Sequence, residues 1–199
     1  MRIVAGRLRG RRLAVPPGLD TRPTADRTRQ ALFDLLEHGR LRPGGGSVVV
    51  DATVLDAFAG SGALGLEALS RGATEASFID ISRPALDCAR ANAKALGVRA
   101  NFILADATNP PRALKPATLV FLDPPYDRGL GAPALTALAA AGWVASRAII
   151  SVELSGREAA AFGPPAGFAK IDERRYGRAR ILILKATRPG IDRGPDNKP

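Results

Sequence analysis

From Thr53 onward, apolar residues fall in short continuous blocks separated by longer mixed segments. The blocks Thr53–Phe58, Ala76–Asp80, Ala100–Leu104, Thr118–Leu122 and Ala148–Glu153 have the length of strands and lack a clean apolar/polar alternation. Strands apolar on both faces belong to parallel sheets covered by helices on either side. The intervening segments supply those helices: Gly62–Ser70, Arg83–Leu96, Pro133–Ala140 and a short one at Arg157–Ala161. Within Arg83–Leu96, the residues Ala85, Leu86, Ala89, Ala93 and Leu96 recur mostly at three- and four-residue steps, which is one helix face. Two last blocks, Phe168–Tyr176 and Arg180–Lys185, have no helix between them and are joined at Gly177. They predict an antiparallel hairpin closing a mostly parallel seven-stranded sheet in an α/β fold.

Before Thr53 the pattern differs. Arg2–Ala5 and Arg11–Val15 read as two short strands around Gly6 and Gly10. Arg7, Arg9 and Arg11 alternate, and in an extended chain they would share one face. Thr24–His38 reads as a helix with Thr24 as its N-cap, Asp26 in its first turn and Gly39 past its end. Its apolar side would be Leu32, Phe33, Leu35 and Leu36. His38, the single histidine, suits the negative end of the helix dipole. Leu41–Gly46 is a proline- and glycine-containing linker. The expected organisation is an N-terminal hairpin-and-helix extension over residues 1–42, a main domain over 43–187 and a tail over 188–199. The tail is rich in proline, glycine and charge, and reads as disordered.

Charge sharpens this division. Residues 1–42 hold ten arginines and four acids; residues 43–169 hold ten basic residues and eleven acids; residues 170–199 hold nine and four. The middle is nearly neutral and both ends are basic, which suggests a polyanion-binding surface built from the termini. The 199 residues, 46% apolar, are ample for one core. No apolar stretch is long enough to span a bilayer, and the N-terminus lacks the apolar segment of a secretory signal. A lone cysteine, Cys88, allows no internal disulfide and points to a reducing cytoplasm. It falls on the apolar face of Arg83–Leu96 and reads as core; Trp143 reads as core or pocket wall. Without a His/Cys cluster, no metal is expected.

Two loops carry candidate chemistry. Val54-Leu-Asp-Ala-Phe-Ala-Gly-Ser-Gly-Ala-Leu-Gly65 is a glycine-rich turn between strand and helix. By spacing alone it is a dinucleotide fingerprint, with Asp80 where a ribose-binding acid would stand. Asp56, just before the turn, would repel a pyrophosphate but attract an ammonium group, directly or through water. That favours S-adenosylmethionine, with Phe58, Gly60, Ser61 and Gly62 forming the turn beside its methionine part. Asp80 would accept from the ribose hydroxyls, Ile81 would lie against the adenine, and Asp106 with Ala107 would meet the adenine edge. Three acids following three successive parallel strands share the edge where such sheets bind ligands.

The second loop, Asp123-Pro124-Pro125-Tyr126, leaves the fourth strand. An aromatic amine is a poor nucleophile because its lone pair is delocalised into the ring. The Asp123 side chain and the Pro124 carbonyl can accept its N–H bonds, and both prolines hold φ fixed, so the acceptors are preorganised. Tyr126 can stack on a base. Glu153, at the end of the fifth strand, could face this site or form an ion pair. The two loops together imply methyl transfer to a base nitrogen.

This combination resembles the amino-group methyltransferases with an Asn/Asp-Pro-Pro-Tyr/Phe motif, whose targets include adenine N6, cytosine N4, guanine N2 and protein glutamine. The N-terminal segments Arg2-Ile-Val-Ala-Gly-Arg-Leu-Arg-Gly-Arg-Arg-Leu-Ala-Val15 and Arg22-Pro-Thr-Ala-Asp-Arg-Thr-Arg-Gln-Ala-Leu-Phe33 narrow it. With the two loops, they resemble the RsmD-type 16S rRNA guanine-N2 methyltransferases over about residues 2–185. The resemblance implies a Rossmann-like class I methyltransferase fold and a 16S rRNA substrate, free or in an assembling small-subunit particle. It implies that Arg7, Arg9, Arg11, Arg12, Arg22, Arg27 and Arg29 hold RNA phosphate. Ala25-Asp26 stands where Thr-Asp is expected, and the Pro43–Thr53 spacer is long. A monomer is expected.

Other readings remain open on the sequence. An adenine-N6 methyltransferase would normally carry an added target-recognition region, for which this length leaves little room. An NAD-dependent oxidoreductase explains the glycine turn but gives Asp123-Pro124-Pro125-Tyr126 no role. A non-catalytic RNA-binding assembly factor would keep the fold alone.

Overall fold

The structure is a computed structural model, and it describes residues 1–16, 23–41 and 44–187, with the backbone alone for residues 23–25. The expected tail therefore lies outside the described residues. Seven strands are observed: β1 Thr53–Ala57, β2 Glu75–Asp80, β3 Asn101–Leu104, β4 Ala117–Leu122, β5 Val144–Ser155, β6 Phe168–Tyr176 and β7 Ala179–Ala186. They form one sheet in the order β3-β2-β1-β4-β5-β7-β6. β1 to β5 pair in parallel, while β7 runs antiparallel to both β5 and β6. The helices are α1 Pro23–His38, α2 Ala63–Ser70, α3 Arg83–Leu96, α4 Gly131–Ala140 and α5 Gly156–Ala161. None of them is long and apolar enough to cross a membrane.

The continuous apolar strands serve two cores. Val54, Phe78, Leu119, Phe121, Ile149 and Ile183 face one side, under α1, α2 and α3. Leu55, Ile79, Val120, Leu122, Ile150 and Leu182 face the other, under α4 and α5. Successive side chains alternate between faces, so burial on both sides leaves few polar positions in the central strands. α1 belongs to the first core: Phe33 meets Phe121 with ring centroids 5.6 Å apart, and Ile3, Leu8 and Leu13 join the same cluster.

Three local expectations change. The N-terminal hairpin is a single antiparallel bridge, Arg2 to Arg12, around a series of turns. The Arg7 N–H donates to the Ser70 carbonyl and the Leu8 N–H to the Ser70 hydroxyl, so the segment folds around the end of α2. Arg7, Arg9 and Arg11 therefore do not form one face of an extended strand. A Cβ on Gly6 would come within 2.0 Å of the Ser70 carbonyl oxygen, and its φ of +78° favours glycine. α1 starts at Pro23, one residue before the expected Thr24 cap. Proline suits that first turn because its missing N–H would have had no helical partner. β5 begins at Val144, earlier than expected, with a register shift against β4.

Candidate active site

Strand register sets the site. Ala57 of β1 pairs with Leu122 of β4 and with Ile79 of β2, while Asp80 pairs with Leu104 of β3 and Leu122 with Val152 of β5. The residues that leave these strands therefore emerge in one row at the carboxyl edge of the sheet. Asp106, Asp80, Phe58, Asp123 and Glu153 follow one another along it. The glycine turn and the Asp123 loop are immediate neighbours because β1 and β4 are.

The glycine turn is built on positive φ. Gly60 and Gly62 have φ of 54° and 77°, and Phe58, a bulky residue, has φ of 68°. A Phe in this region is strained, and such strain persists where the surroundings fix it. A Cβ on Gly60 would meet no atom within 4 Å, whereas one on Gly65 would come within 2.5 Å of the Phe78 ring. Gly65 thus permits the packing of α2 on the sheet, and Gly60 leaves open space over the turn. Asp80 fixes the turn: its carboxylate accepts from the Gly60 N–H at 2.8 Å and the Ser82 N–H at 2.8 Å. Each of its oxygens keeps a lone pair for ribose hydroxyls. Ile81 is 71% exposed at this edge, an apolar surface ready for a planar ring. Asp106 Oδ1 accepts from the Thr108 N–H and hydroxyl, Ala107 is buried, and Ser61 is buried.

Asp56 is buried beneath the turn and accepts from the Gly65 N–H at 2.9 Å. That burial favours the water-mediated form of the expected contact over the direct one. Burial pushes its carboxyl up to about 7, the Gly65 N–H opposes the rise, and the charge of Asp80 adds to it.

Asp123 is exposed at the carboxyl edge of the sheet, with protein crowding its carboxyl from behind. That enclosure, then the charges of Glu153 and Asp56, push its carboxyl well above the usual carboxylate range. The two loops predicted to meet are thus within electrostatic reach of each other. Glu153 is also raised by burial, against the hydrogen bond it receives from Tyr126. The Tyr126 hydroxyl donates to Glu153 at 2.6 Å, and the phenol remains 42% exposed. Among the described residues no lysine or arginine pairs with Asp56, Asp123 or Glu153. Three carboxyls without a cation fit a cationic ligand.

The loop after Tyr126 is pinned. Asp127, at φ 59°, accepts from the Ser155 hydroxyl at 2.9 Å, and Glu158 accepts from the Arg128 and Gly129 N–H groups at 3.1 and 2.9 Å. Pro124 is buried and Pro125 exposed. The structural neighbours that position this loop, Ser155 and Glu158, carried no sequence signal beyond a capping box. Glu153 does face the site, and Tyr126 is its partner. Cys88 is half-buried with its thiol pushed up by that burial, and Trp143 is core, its indole N–H donating to the Pro111 carbonyl at 2.8 Å.

The N-terminal arginines divide. Arg7, Arg9, Arg12 and Arg27 are exposed. Arg11 is exposed as well, but it donates to the Ala95 carbonyl at 2.6 Å and caps α3. Arg22 lies outside the described residues. Arg29 corrects the expectation of a phosphate contact: it is 5% exposed, donates to the Arg2 carbonyl and to Asp26, and lies 3.5 Å from Glu67. Its charge is consumed inside the fold.

Comparison with known proteins agrees with this geometry. A family model described as Conserved hypothetical protein 95 matches residues 1–185. The ribosomal RNA small subunit methyltransferase D of Escherichia coli K12 is 41% identical over 161 residues, covering 77% of this chain and 74% of that protein. The solved structure of the Escherichia coli protein yhhF is 36% identical with a TM-score of 0.76, covering 94% of this chain and 97% of that one. A ribosomal protein L11 methylase from Lactobacillus delbrueckii subsp. bulgaricus, 17% identical, shares the fold with a TM-score of 0.60 over 87% of this chain and 84% of its own.

Proposed function

The chain belongs to the ribosomal RNA small subunit methyltransferase D family, and we propose that it methylates the N2 amino group of a guanine in 16S rRNA, acting as a monomer. S-adenosylmethionine is its cofactor, and bound at this edge it supplies an electrophilic methyl group on a positively charged sulfur. The chain's own residues fit it: an open glycine turn, an exposed Ile81, spare acceptors on Asp80, and acids lacking a cation. Asp56, Phe58, Gly60, Ser61 and Gly62 hold its methionine part. Asp80, Ile81, Asp106 and Ala107 hold its nucleoside.

Asp123 and the Pro124 carbonyl accept the N–H bonds of the target amine, which leaves its lone pair free for attack. With no cation beside it, Asp123 holds its proton more tightly than an ordinary carboxyl does. A cation there reverses the local field and favours the carboxylate, the form that accepts. The amine becomes acidic only as its new N–C bond forms, and Asp123 takes the proton then. Positioning therefore contributes more than basicity. Tyr126, held by Glu153, stacks on the base; Pro125 stiffens the turn. A guanine stacked in a helix cannot bring its amine against Asp123 at this edge, so the RNA presents it unpaired or flipped.

One observation carries the reading: the adjacent register of β1 and β4 sets the glycine turn and the Asp123 loop side by side. The test is to incubate the protein with labelled cofactor and unmodified small-subunit rRNA, free and in particles, and to map the modified base by mass spectrometry. Label on guanine N2 supports the reading; label on adenine N6, or on no RNA, overturns it.

A further inference from the structure

We propose that a cavity at the tip of the β6–β7 hairpin grips the phosphodiester backbone of the RNA whose base enters the neighbouring site. This rests on the rRNA methyltransferase reading above. The cavity has a volume of about 500 Å³, and its walls include Tyr126, Asp127, Arg157, Arg175, Arg178 and Arg180. That volume is in the range of pockets that take a nucleotide-sized group.

The charges in it are unbalanced. Four arginines face one carboxylate, and Asp127 already accepts from the Ser155 hydroxyl. Among the described residues, none of the four arginines has a carboxylate oxygen within 4.0 Å. Arg174, one residue away, does: it pairs with Asp172 at 2.9 Å. Arg175 makes one long bond, 3.4 Å to the Gly177 carbonyl. Glu173, whose charge feels Arg180, is itself bonded to Lys170 at 2.8 Å.

Strand pairing makes the arrangement costlier still. Arg175 and Arg180 stand directly opposite each other in the β6–β7 ladder. Like charges in that position destabilise a hairpin unless an anion lies between them. Guanidinium groups bind phosphate oxygens two at a time, which a cluster of this kind is suited to do.

Tyr126 identifies which phosphate. Its ring lines the cavity, and its hydroxyl bonds Glu153 at the edge of the methyl-transfer site. A base held against Tyr126 at Asp123 has its own backbone at the mouth of the arginine cavity. The ligand is one strand spanning both.

The test compares the wild-type protein with Arg175→Ala/Arg178→Ala, both exposed positions, and with the Lys/Lys version of the same pair. A labelled, unmodified small-subunit rRNA fragment is titrated across a salt series, with no turnover required. Removing one phosphate-binding cation from a single-stranded RNA site lowers the slope of log K against log salt by about 0.7, so the double variant should lower it by about 1.4. Binding should weaken about tenfold or more at low salt, and the Lys/Lys version should recover most of the slope. In turnover, KM for RNA should rise while kcat stays within about twofold, and calorimetric cofactor affinity should be unchanged. An unchanged slope and KM overturn the inference, and would also be the result if an acidic protein were the occupant. Wild-type protein that binds RNA but methylates none overturns the methyltransferase reading instead, and the slope comparison still decides the cavity.

Discussion

At the contact between α1 and α2, opposite charges meet inside the protein. Glu67 is fully buried and accepts from the Val4 and Ala5 N–H groups at 2.8 and 2.9 Å and from Arg71 at 2.8 Å, with Arg29 beside it. Arg71 also reaches Glu37 at 2.6 Å and Gln30 at 3.0 Å, and its guanidinium lies 4.8 Å from the centre of the Phe33 ring. Along the rim from β1 to β6 the arrangement is reversed. Acids cluster with acids at Asp56, Asp123 and Glu153, and arginines cluster with arginines beyond Tyr126. Burying charge is costly, so a pair closed within the fold serves the fold. Like charges left together serve something that arrives from outside.

The comparison breaks first at Glu67. Replacing it with Ala removes the buried acid that Arg29 and Arg71 share and leaves them only their outer partners, Asp26 and Glu37, a change worth about 3 kcal/mol or more. The melting temperature should fall by roughly 10 °C on calorimetry. A variant as stable as wild type would show that this lattice holds nothing together. At the rim the largest expected effect is on rate. Asp123→Ala should lower methyl transfer by about 100- to 1,000-fold, the size seen when one preorganised group is removed from a reacting centre. Cofactor affinity by calorimetry should be largely kept; unchanged turnover would remove the mechanism.

Tyr126→Ala tests the wall shared by the two clusters. Loss of stacking should weaken RNA binding by about 1–3 kcal/mol, read by titration without turnover. The acid cluster should also reveal itself by pH. Asp56 is raised from 3.8 to about 7, so the folded ligand-free protein holds that proton more tightly than the unfolded chain does. The stability this contributes is full below about 4 and is lost as pH rises through about 7. Asp123 and Glu153 shift in the same direction. Glu158 and Glu173 are lowered instead, and their contribution is lost only below their ordinary value of 4.5. Between pH 5 and pH 8, about the span of a routine buffer series, the ligand-free protein should therefore melt lower as pH rises. Asp56→Asn should flatten that trend, and cofactor affinity in the wild type should weaken below about pH 7. The smallest effect is expected at Arg9, exposed on the N-terminal turns. Arg9→Ala should change stability by less than about 0.5 kcal/mol. It separates a free surface charge from the committed Arg29.

The order of strands and helices from Thr53 to Lys185 was legible because burial on both faces writes a mostly apolar block for each inner strand, while the polar edge strand β6 was legible from the turn at Gly177 that joins it to β7. The two loops were legible because glycine and proline announce backbone conformation within a few residues. Phe58 at positive φ, the pinning of the Asp127 loop by Ser155 and Glu158, and the bond from Tyr126 to Glu153 depend on contacts between distant segments. No local pattern carries them. The arginines show the same divide most plainly. Composition determined that both ends are basic, since charge is a sum over residues. Which arginines are spent on Glu67 and which remain open beside Tyr126 was decided by the tertiary structure, because pairing depends on distance in space.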